Sequence, residues 1–464
     1  MKLLLCVHGF PDELVGGTEL AARFLAEGLL KRGHEVVVFA GSFEGGRPDA
    51  VVCRETIETH SGATHPLRII RLTRPDLYSD HWHKSASARV AQSYREVLQA
   101  EAPDLVHVMH WLRLTRNLVR LAGQAGVPAV VSLNDSWVSC PLVFRVESAN
   151  QSICERPISG MHCISCAGRV APQTPWVTQE AAFMELAIRG QDIAAELSMA
   201  RAVLVPSKSF GEKQLRLMGD PALKIALDVT PPSAVVRYAP RTTTPPPKPF
   251  LLGSWGHLSD LKGTDLAFEA LERLGLNSGV ELRLAGNEPH AGYLANLRSV
   301  YPNVIVHWDG SFTRGDLDSH AVTGVHAMLS ASRAPESYGM VLEEARALGL
   351  PALLPNAGAF VERGGENSGA LLFESGSAES LALAITSLRD SRGKFEALRA
   401  AVPAPTSECD VLDAHLAIYE RVITSGGPSD VGESAWFAER MQNFAEDEWD
   451  RQLSQCSSQE LGFD

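Results

Sequence analysis

The stretch Pro335–Pro351, PESYGMVLEEARALGLP, decides how the rest of the chain is read. Val341, Ala345 and Leu348 recur at i, i+4 and i+7, which predicts a helix with one buried face. Ser337 and Gly339 mark its start; Gly349 and Pro351 stop it. Glu336 then stands just before the helix and Glu344 two turns in. Were the segment helical throughout, the two carboxylates would be about 12 Å apart. That is roughly the span from a nucleotide's ribose to a sugar beyond its diphosphate. Each carboxylate can accept hydrogen bonds from vicinal hydroxyls, and the helix N-terminus between them would face the phosphates. Two glutamates on a solvated helix surface are the competing reading, and the stretch alone does not choose.

Outward from this point the chain alternates strand and helix patterns. Before it come FLLGSWGH, a helix from about Thr264, VELRLAG, VIVHWDG and VHAMLSA; after it comes PALLPNAG. The same alternation fills the first half, from KLLLCVHGF through GGTELAARFLAEGLLKRGH, ending at Gly33, to EVVVFAG, LVHVMH, PAVVSLND and RAVLVPS. Such βαβ repetition predicts parallel sheets with helices on both faces. A proline-dense stretch separates the halves and reads as a stiff linker. The expected organisation is therefore α/β: two Rossmann-like doubly wound domains facing a cleft, with ligands outside the carboxyl ends of the strands. The boundaries are 1–230 for the first domain, with a cysteine-rich insert at 137–170, then a linker at 231–249. The second domain spans 250–405. Residues 406–464 form C-terminal helices, the second at 433–453, and an acidic tail whose last few residues are read as disordered.

Composition narrows the class. The chain has 464 residues, is 45% hydrophobic and carries a net charge of −13, which disfavours nucleic acid as a partner. No apolar run is long enough for a transmembrane segment. The start MKLLLCVHGF reads as a buried strand, because Asp12 and Glu13 follow it and no cleavage site does. Eight cysteines in so long a chain suggest reduced thiols or metal ligands. A cytoplasmic location is expected, with a peripheral place at the inner membrane face as a variant.

Two loops carry anion-binding chemistry. Gly16 and Gly17 precede a helix and would let backbone N–H groups approach a phosphate, with Thr18 as the N-cap in the plain βα-turn alternative. Lys262 and Gly263 sit where a second helix begins, so a point charge adds to the helix dipole. The dinucleotide pattern G-x-G-x-x-G is absent, which disfavours an NAD enzyme.

Together these residues resemble a family-4 glycosyltransferase with the GT-B fold, over roughly residues 1–424. Glu336 to Glu344 matches the family's E-x(7)-E pattern, with Ala345, Gly349, Pro351 and Gly358 in register. GGTELAARFLAEGLLKRGHEVVVF and GHLSDLKGTDLAFEAL resemble the family's opening unit and its phosphate-binding loop. SWVSCP and HCISC resemble a subgroup with a D-x-W-x-x-C-P motif and a cysteine cluster.

The resemblance implies a nucleotide-sugar donor on the C-terminal domain. Lys262 would bind the diphosphate, Glu344 the ribose, and Glu336 the sugar near the reacting carbon. The backbone of Ser337, Tyr338, Gly339 and Met340 would touch sugar and phosphate, and Gly16 and Gly17 would close over the diphosphate. His257 stands where the family has an arginine beside the donor. On the acceptor side, His107 matches the first histidine of the family's His-x-His segment, Met109 replaces the second, and the neighbouring His110 is the substitute. Asn134 also departs from the family, while Asp135 and Trp137 remain.

The implied reaction is retaining transfer of a sugar to an acceptor hydroxyl in glycan, polysaccharide or glycoconjugate biosynthesis. The acceptor would be a glycan, a lipid-linked or a small molecule, and no cofactor or metal is needed for catalysis. An epimerase or phosphorylase of the same fold, or a non-catalytic nucleotide-sugar-binding partner protein, are the alternatives. Within the insert, Cys140, Cys154, Cys163 and Cys166 can hold a structural zinc, with His162 as a substitute ligand; an iron–sulfur cluster uses the same ligands. Paired disulfides or four unligated thiols are the other readings.

Overall fold

The structure is a computed structural model that describes residues 1–42, 52–73, 88–167, 179–219, 224–234, 249–311, 317 and 319–425. It divides into two compact units. The first takes Met1–Ala149, Glu155–Ser233 and the chain from Glu408; the second takes Ala234–Ser407 and the short segment Asn150–Cys154. Most of the linker at 231–249 and all of the second C-terminal helix at 433–453 and the tail lie outside the described residues.

The first unit runs β1 (Lys2–Val7), α1 (Gly17–Lys31), β2 (Glu35–Gly41), β3 (Val52–Glu58), β4 (Leu67–Thr73), α2 (Ala88–Glu101), β5 (Leu105–Val108), α3 (Leu118–Gln124), β6 (Ala129–Ser132), α4 (Gly160–Ala167), α5 (Gln179–Met199), β7 (Ala202–Val205), α6 (Lys208–Leu217) and β8 (Leu227–Val229). The sheet order is β3-β4-β2-β1-β5-β6-β7-β8, parallel except for the β3–β4 pair. β1 is buried from Leu3 to Val7 because helices cover both its faces, so its sequence is a continuous apolar run rather than an alternating one. Leu4 and Cys6 enter one core with Phe39, Val106 and Val131; Leu3, Leu5 and Val7 enter another with Leu25 and Leu29 of α1.

The second unit runs β9 (Phe250–Trp255), α7 (Thr264–Leu274), β10 (Val280–Ala285), α8 (Tyr293–Val300), β11 (Val306–Trp308), β12 (Ala327–Leu329), α9 (Met340–Ala347), β13 (Ala352–Pro355), α10 (Phe360–Arg363), β14 (Ala370–Phe373), α11 (Ala378–Asp390) and α12 (Arg392–Ala400). Its six described strands are all parallel, in the order β11-β10-β9-β12-β13-β14.

The last described helix, α13 (Glu408–Thr424), is no separate appendage, although the sequence places 406–464 outside both domains. Leu412, Ile418, Tyr419 and Val422 join the core of the first unit beside Leu25 and Leu29. The apolar face of α13 needs a partner, and α1 supplies it: the Leu412 side chain lies where a Cβ on Gly28 would stand.

Each sheet has one strand at which connection order reverses. In the first unit β1 has β2 on one side and β5 on the other; in the second β9 has β10 and β12. Loops leaving the carboxyl ends of such strands diverge and leave room for a ligand. The chemistry-bearing side chains gather there.

Candidate active site

In the second unit, the β9–α7 loop brings Lys262 against the β12–α9 loop. Lys262 Nζ lies 2.7 Å from Glu336 Oε1. Gly263 makes the approach possible: it has φ +73°, and a Cβ there would stand 1.8 Å from the Ala331 carbonyl oxygen. The Arg333 amide also donates to the Leu261 carbonyl (2.9 Å), and its guanidinium holds both oxygens of Asp265 at 2.5 and 2.8 Å. The loop after β13 braces Glu336 from the other side. Ala359 donates to the Glu336 carbonyl at 2.7 Å, and a Cβ on Gly358 (φ +57°) would lie 2.4 Å from that oxygen.

The helix of the opening stretch is α9, beginning at Met340 with Gly339 as its N-cap. It is buried on more than one face: Leu342, Glu343, Glu344, Ala345 and Ala347 are all enclosed. Glu344 accepts a hydrogen bond from the Trp255 indole N–H at 2.8 Å, which ties it to the carboxyl end of β9. Glu343, fully buried, is a separate structural node. It pairs with Arg346 (2.8 Å) and Arg363 and accepts the Thr406 amide (2.9 Å). Arg363 also covers the Tyr338 ring, 3.5 Å from its centroid, and donates to the Tyr338 carbonyl. Ser337 is half-buried, and His257 is exposed in the loop after β9.

In the first unit, two histidines follow the carboxyl ends of neighbouring strands. His8 follows β1 and His110 follows β5; their ring centroids are 4.2 Å apart. Each is held by a carboxylate. His8 Nε2 lies 2.6 Å from Glu19 Oε1, and His110 Nε2 lies 3.1 Å from Asp135 Oδ2. The Leu112 amide donates to His110 Nδ1 at 3.0 Å, so the His110 proton sits on Nε2 and points to Asp135. Asp135 also takes the Trp137 amide at 2.9 Å. Trp137 is buried, stacked on Trp111 and covered by the Arg189 guanidinium. Burial opposes ionising Asp135, yet His110, the Trp137 amide and His8 hold its carboxyl below the usual carboxylate range. Burial opposes Glu19 in the same way, and His8 outweighs it. Burial, then the neighbouring His110, pushes His8 down despite Glu19, so His8 is neutral at pH 7.

The described thiols of the insert are in part neighbours. Cys163 and Cys166 lie one turn apart on α4. Cys140, half-buried, accepts the Arg145 and Leu142 amides and lies near Cys163; burial pushes its thiol up. Cys163 accepts the Ser159 amide at 3.5 Å, and Cys166 accepts the Ser148 amide and hydroxyl at 3.5 and 3.4 Å. His162 Nδ1 accepts a hydrogen bond from the Arg156 guanidinium at 3.1 Å. Cys154 is buried in the short segment that groups with the second unit.

The two halves match two family models: Glycosyltransferase Family 4 over residues 15–226, and Glycosyl transferases group 1 over residues 239–402. The chain is a glycosyltransferase of the family-4, GT-B kind. Solved structures share its fold at low identity. Sucrose-phosphate synthase from Thermosynechococcus elongatus is 16% identical with a TM-score of 0.56, covering 92% of this chain and 97% of that one. The catalytic domain of starch synthase IV from Arabidopsis thaliana, bound to ADP and acarbose, is 11% identical with a TM-score of 0.58, covering 91% and 99%. Anabaena HepE in complex with UDP is 15% identical with a TM-score of 0.54, covering 96% and 100%. No curated protein sequence matches the chain. Among the described residues of the transferase, no helix is long and apolar enough to cross a membrane.

Against the sequence reading, the structure groups His110, Asp135 and Trp137 but separates His107 from them. His107 is fully buried within β5, with Nδ1 2.7 Å from the Tyr419 hydroxyl and Nε2 2.8 Å from Ser132 Oγ. Both ring nitrogens are engaged inside the fold, which leaves none for an acceptor. Met109 is also buried, and Asn134 donates to its carbonyl at 3.4 Å. The N-cap of α1 is Gly16, not Thr18, and α1 starts at Gly17. The Glu19 side chain folds back over this helix end, with Oε2 2.5 Å from where a Gly16 Cβ would stand. Sequence reasoning missed His8, Glu19, Trp255 and Glu343. Only Glu19 had a local signal, an acid in the first helical turn just after a glycine pair.

Proposed function

We propose that the chain is a retaining, metal-independent hexosyltransferase whose second unit binds a nucleotide-sugar and whose first unit binds the acceptor hydroxyl. The observation that carries this is the Lys262–Glu336 pair, at the strand where connection order reverses in the second unit. Glu336 pre-aims the ammonium, which supplies the positive charge a leaving diphosphate needs. Glu344, anchored by Trp255, takes the ribose hydroxyls, and the α9 N-terminus takes phosphate. No strong base is required, because the departing phosphate can take the acceptor proton. HepE in complex with UDP and starch synthase IV bound to ADP support a nucleoside diphosphate as the leaving group. The acceptor is a glycan, a lipid-linked or a small molecule, and the compartment is the cytoplasm.

A thermal-shift screen against UDP-, GDP-, ADP- and TDP-sugars tests the donor assignment. Proton NMR of the first-formed product reads the anomeric configuration. Stabilisation by one nucleotide class and a retained configuration are expected; inversion would overturn the retaining reading.

The cysteine pattern of the insert is the basis for a structural zinc on Cys140, Cys154, Cys163 and Cys166, although among the described residues no three of these thiols converge as a ligand set. Cys163 and Cys166 accept amide hydrogen bonds of the kind a metal-bound thiolate takes, while burial pushes the Cys140 thiol up, so a metal would have to displace its proton. The metal would fasten the insert and take no part in sugar transfer; an iron–sulfur cluster is the other group these ligands could hold.

A further inference from the structure

The two histidines at the reversal point of the first unit are not equivalent. His110 has both ring nitrogens occupied, by the Leu112 amide and by Asp135. His8 has one: Nε2 meets Glu19, whereas Nδ1 is enclosed and finds no hydrogen-bond partner among the described residues. A neutral imidazole that gives its Nε2 proton to a carboxylate presents a bare lone pair at Nδ1. A buried acceptor of that kind is normally paired, so a ligand donor is its natural complement. Its place fits: His8 directly follows β1, at the strand where ligand loops diverge.

We propose that His8 contacts substrate in this transferase, its Nδ1 accepting a hydrogen bond from an acceptor hydroxyl beside the one that receives the sugar, whose own proton is left for the departing phosphate, and that Glu19 is the positioning residue that fixes the ring. The proposal rests on the assignment of the first unit to the acceptor. It places the open nitrogen on His8, a residue outside the sequence-derived set, and leaves His110 as the wall against which the His8 ring packs. Glu19 can do this because its carboxylate is held by its own backbone amide at the start of α1, folded over Gly16. The chemistry it selects is a neutral hydroxyl donor. An anionic group has no proton to give and would face two carboxylates.

The test is imidazole nitrogen-15 NMR on the full-length protein, with His8→Gln for assignment. His8 should show a protonated Nε2 and a bare Nδ1 at neutral pH, and Glu19→Gln should mix the two tautomers. Methyl α-glucoside, used as the hydroxyl probe, should move His8 Nδ1 upfield and leave the His107 nitrogens unmoved. In parallel, nucleoside diphosphate release from the bound donor should fall ~10-fold or more in His8→Gln, the loss expected for one hydrogen bond. His8→Asn should retain more, because its oxygen can fall where Nδ1 lay. A protonated Nδ1 overturns the proposal. So does an unmoved His8 when other first-unit resonances respond to the probe, and that result leaves the acceptor assignment standing. If no first-unit resonance responds while nucleotide still binds the second unit, the acceptor assignment falls and the proposal with it.

Discussion

Lys262 Nζ and Glu336 Oε1 lie 2.7 Å apart, and the two residues come from loops that follow neighbouring strands, β9 and β12. The pair is partly exposed, so its direct contribution to stability is small. Its consequence is positional. A lysine side chain loses much rotamer freedom when it settles on one partner, and Glu336 settles it before any ligand arrives. Removing the ammonium should therefore act on chemistry. Lys262→Ala is expected to keep the melting temperature near that of the parent and to cut turnover ~100–1000-fold, as for loss of one electrostatic donor. Turnover close to the parent's would mean that another group, His257 first among them, carries the charge.

Glu336 should behave differently from its partner. Glu336→Gln keeps an acceptor for sugar hydroxyls but releases Lys262. Turnover should drop while nucleotide affinity holds. A collapse of nucleotide affinity with normal turnover at saturation would show that the two glutamates have been assigned the wrong way round.

Glu344 and Trp255 form the second pair, at 2.8 Å. Glu344→Ala should lose donor affinity by about 1.5–3 kcal/mol for each charged hydrogen bond lost. Trp255→Phe keeps an aromatic side chain but removes the N–H together with the pyrrole part of the indole, so it should give a fraction of that affinity loss and some loss of packing stability. Calorimetry with the bound nucleotide decides: unchanged affinity in Glu344→Ala excludes the ribose role.

The zinc assignment is checked by metal analysis of anaerobically purified protein. About one zinc per chain, lost together with stability in a Cys163→Ser, Cys166→Ser double variant, is expected. A protein with no stoichiometric metal and with freely titrating thiols in the insert would refute it.

The alternation of elements was legible because parallel strands buried on both faces are continuous apolar runs, as in KLLLCV and EVVVFAG. Lys262, Glu336 and Glu344 were legible because each sits beside a helix start or on a marked helix. The first unit was harder to read. His107 and His110 look alike in LVHVMH, but one lies inside β5 and the other beyond its end, and only the strand boundary tells them apart. Thr18 looks like an N-cap by residue type; Gly16 takes that place, and the Glu19 carboxylate lies over the helix start. His8 has its meaning only beside Glu19 and His110, a neighbourhood made by the packing of β1 against β5. The C-terminal helix was recognisable as a helix. Its partner was not, because the apolar face of α13 says only that something must cover it.

That helix gives the last prediction. His415 on α13 is enclosed, with Nδ1 2.8 Å from the Val411 carbonyl oxygen, to which it donates. The titratable rings beside it are His107 and Tyr419, 6.2 Å away in each case, and neither offers a carboxylate. Burial therefore pushes His415 down, from the ordinary 6.5 to about 4, even though its bond to Val411 works the other way. Burial, and then His415, lowers His107 as well. In the unfolded chain His415 takes a proton as pH falls through 6.5, while in the folded chain it stays neutral down to about 4. A depressed folded value means that the stabilising difference is fully present above 6.5 and is lost as pH falls toward 4. Over that interval the loss is about 3 kcal/mol from this residue. The first unit should therefore lose stability on acidification faster than its carboxylates alone would dictate, with α13 loosening from α1. Denaturant melts followed by circular dichroism at several pH values between 7 and 4 read the slope. His415→Gln, which cannot titrate, should flatten it. An identical slope in the variant would mean that His415 is already protonated in the folded chain, or that α13 does not depend on it.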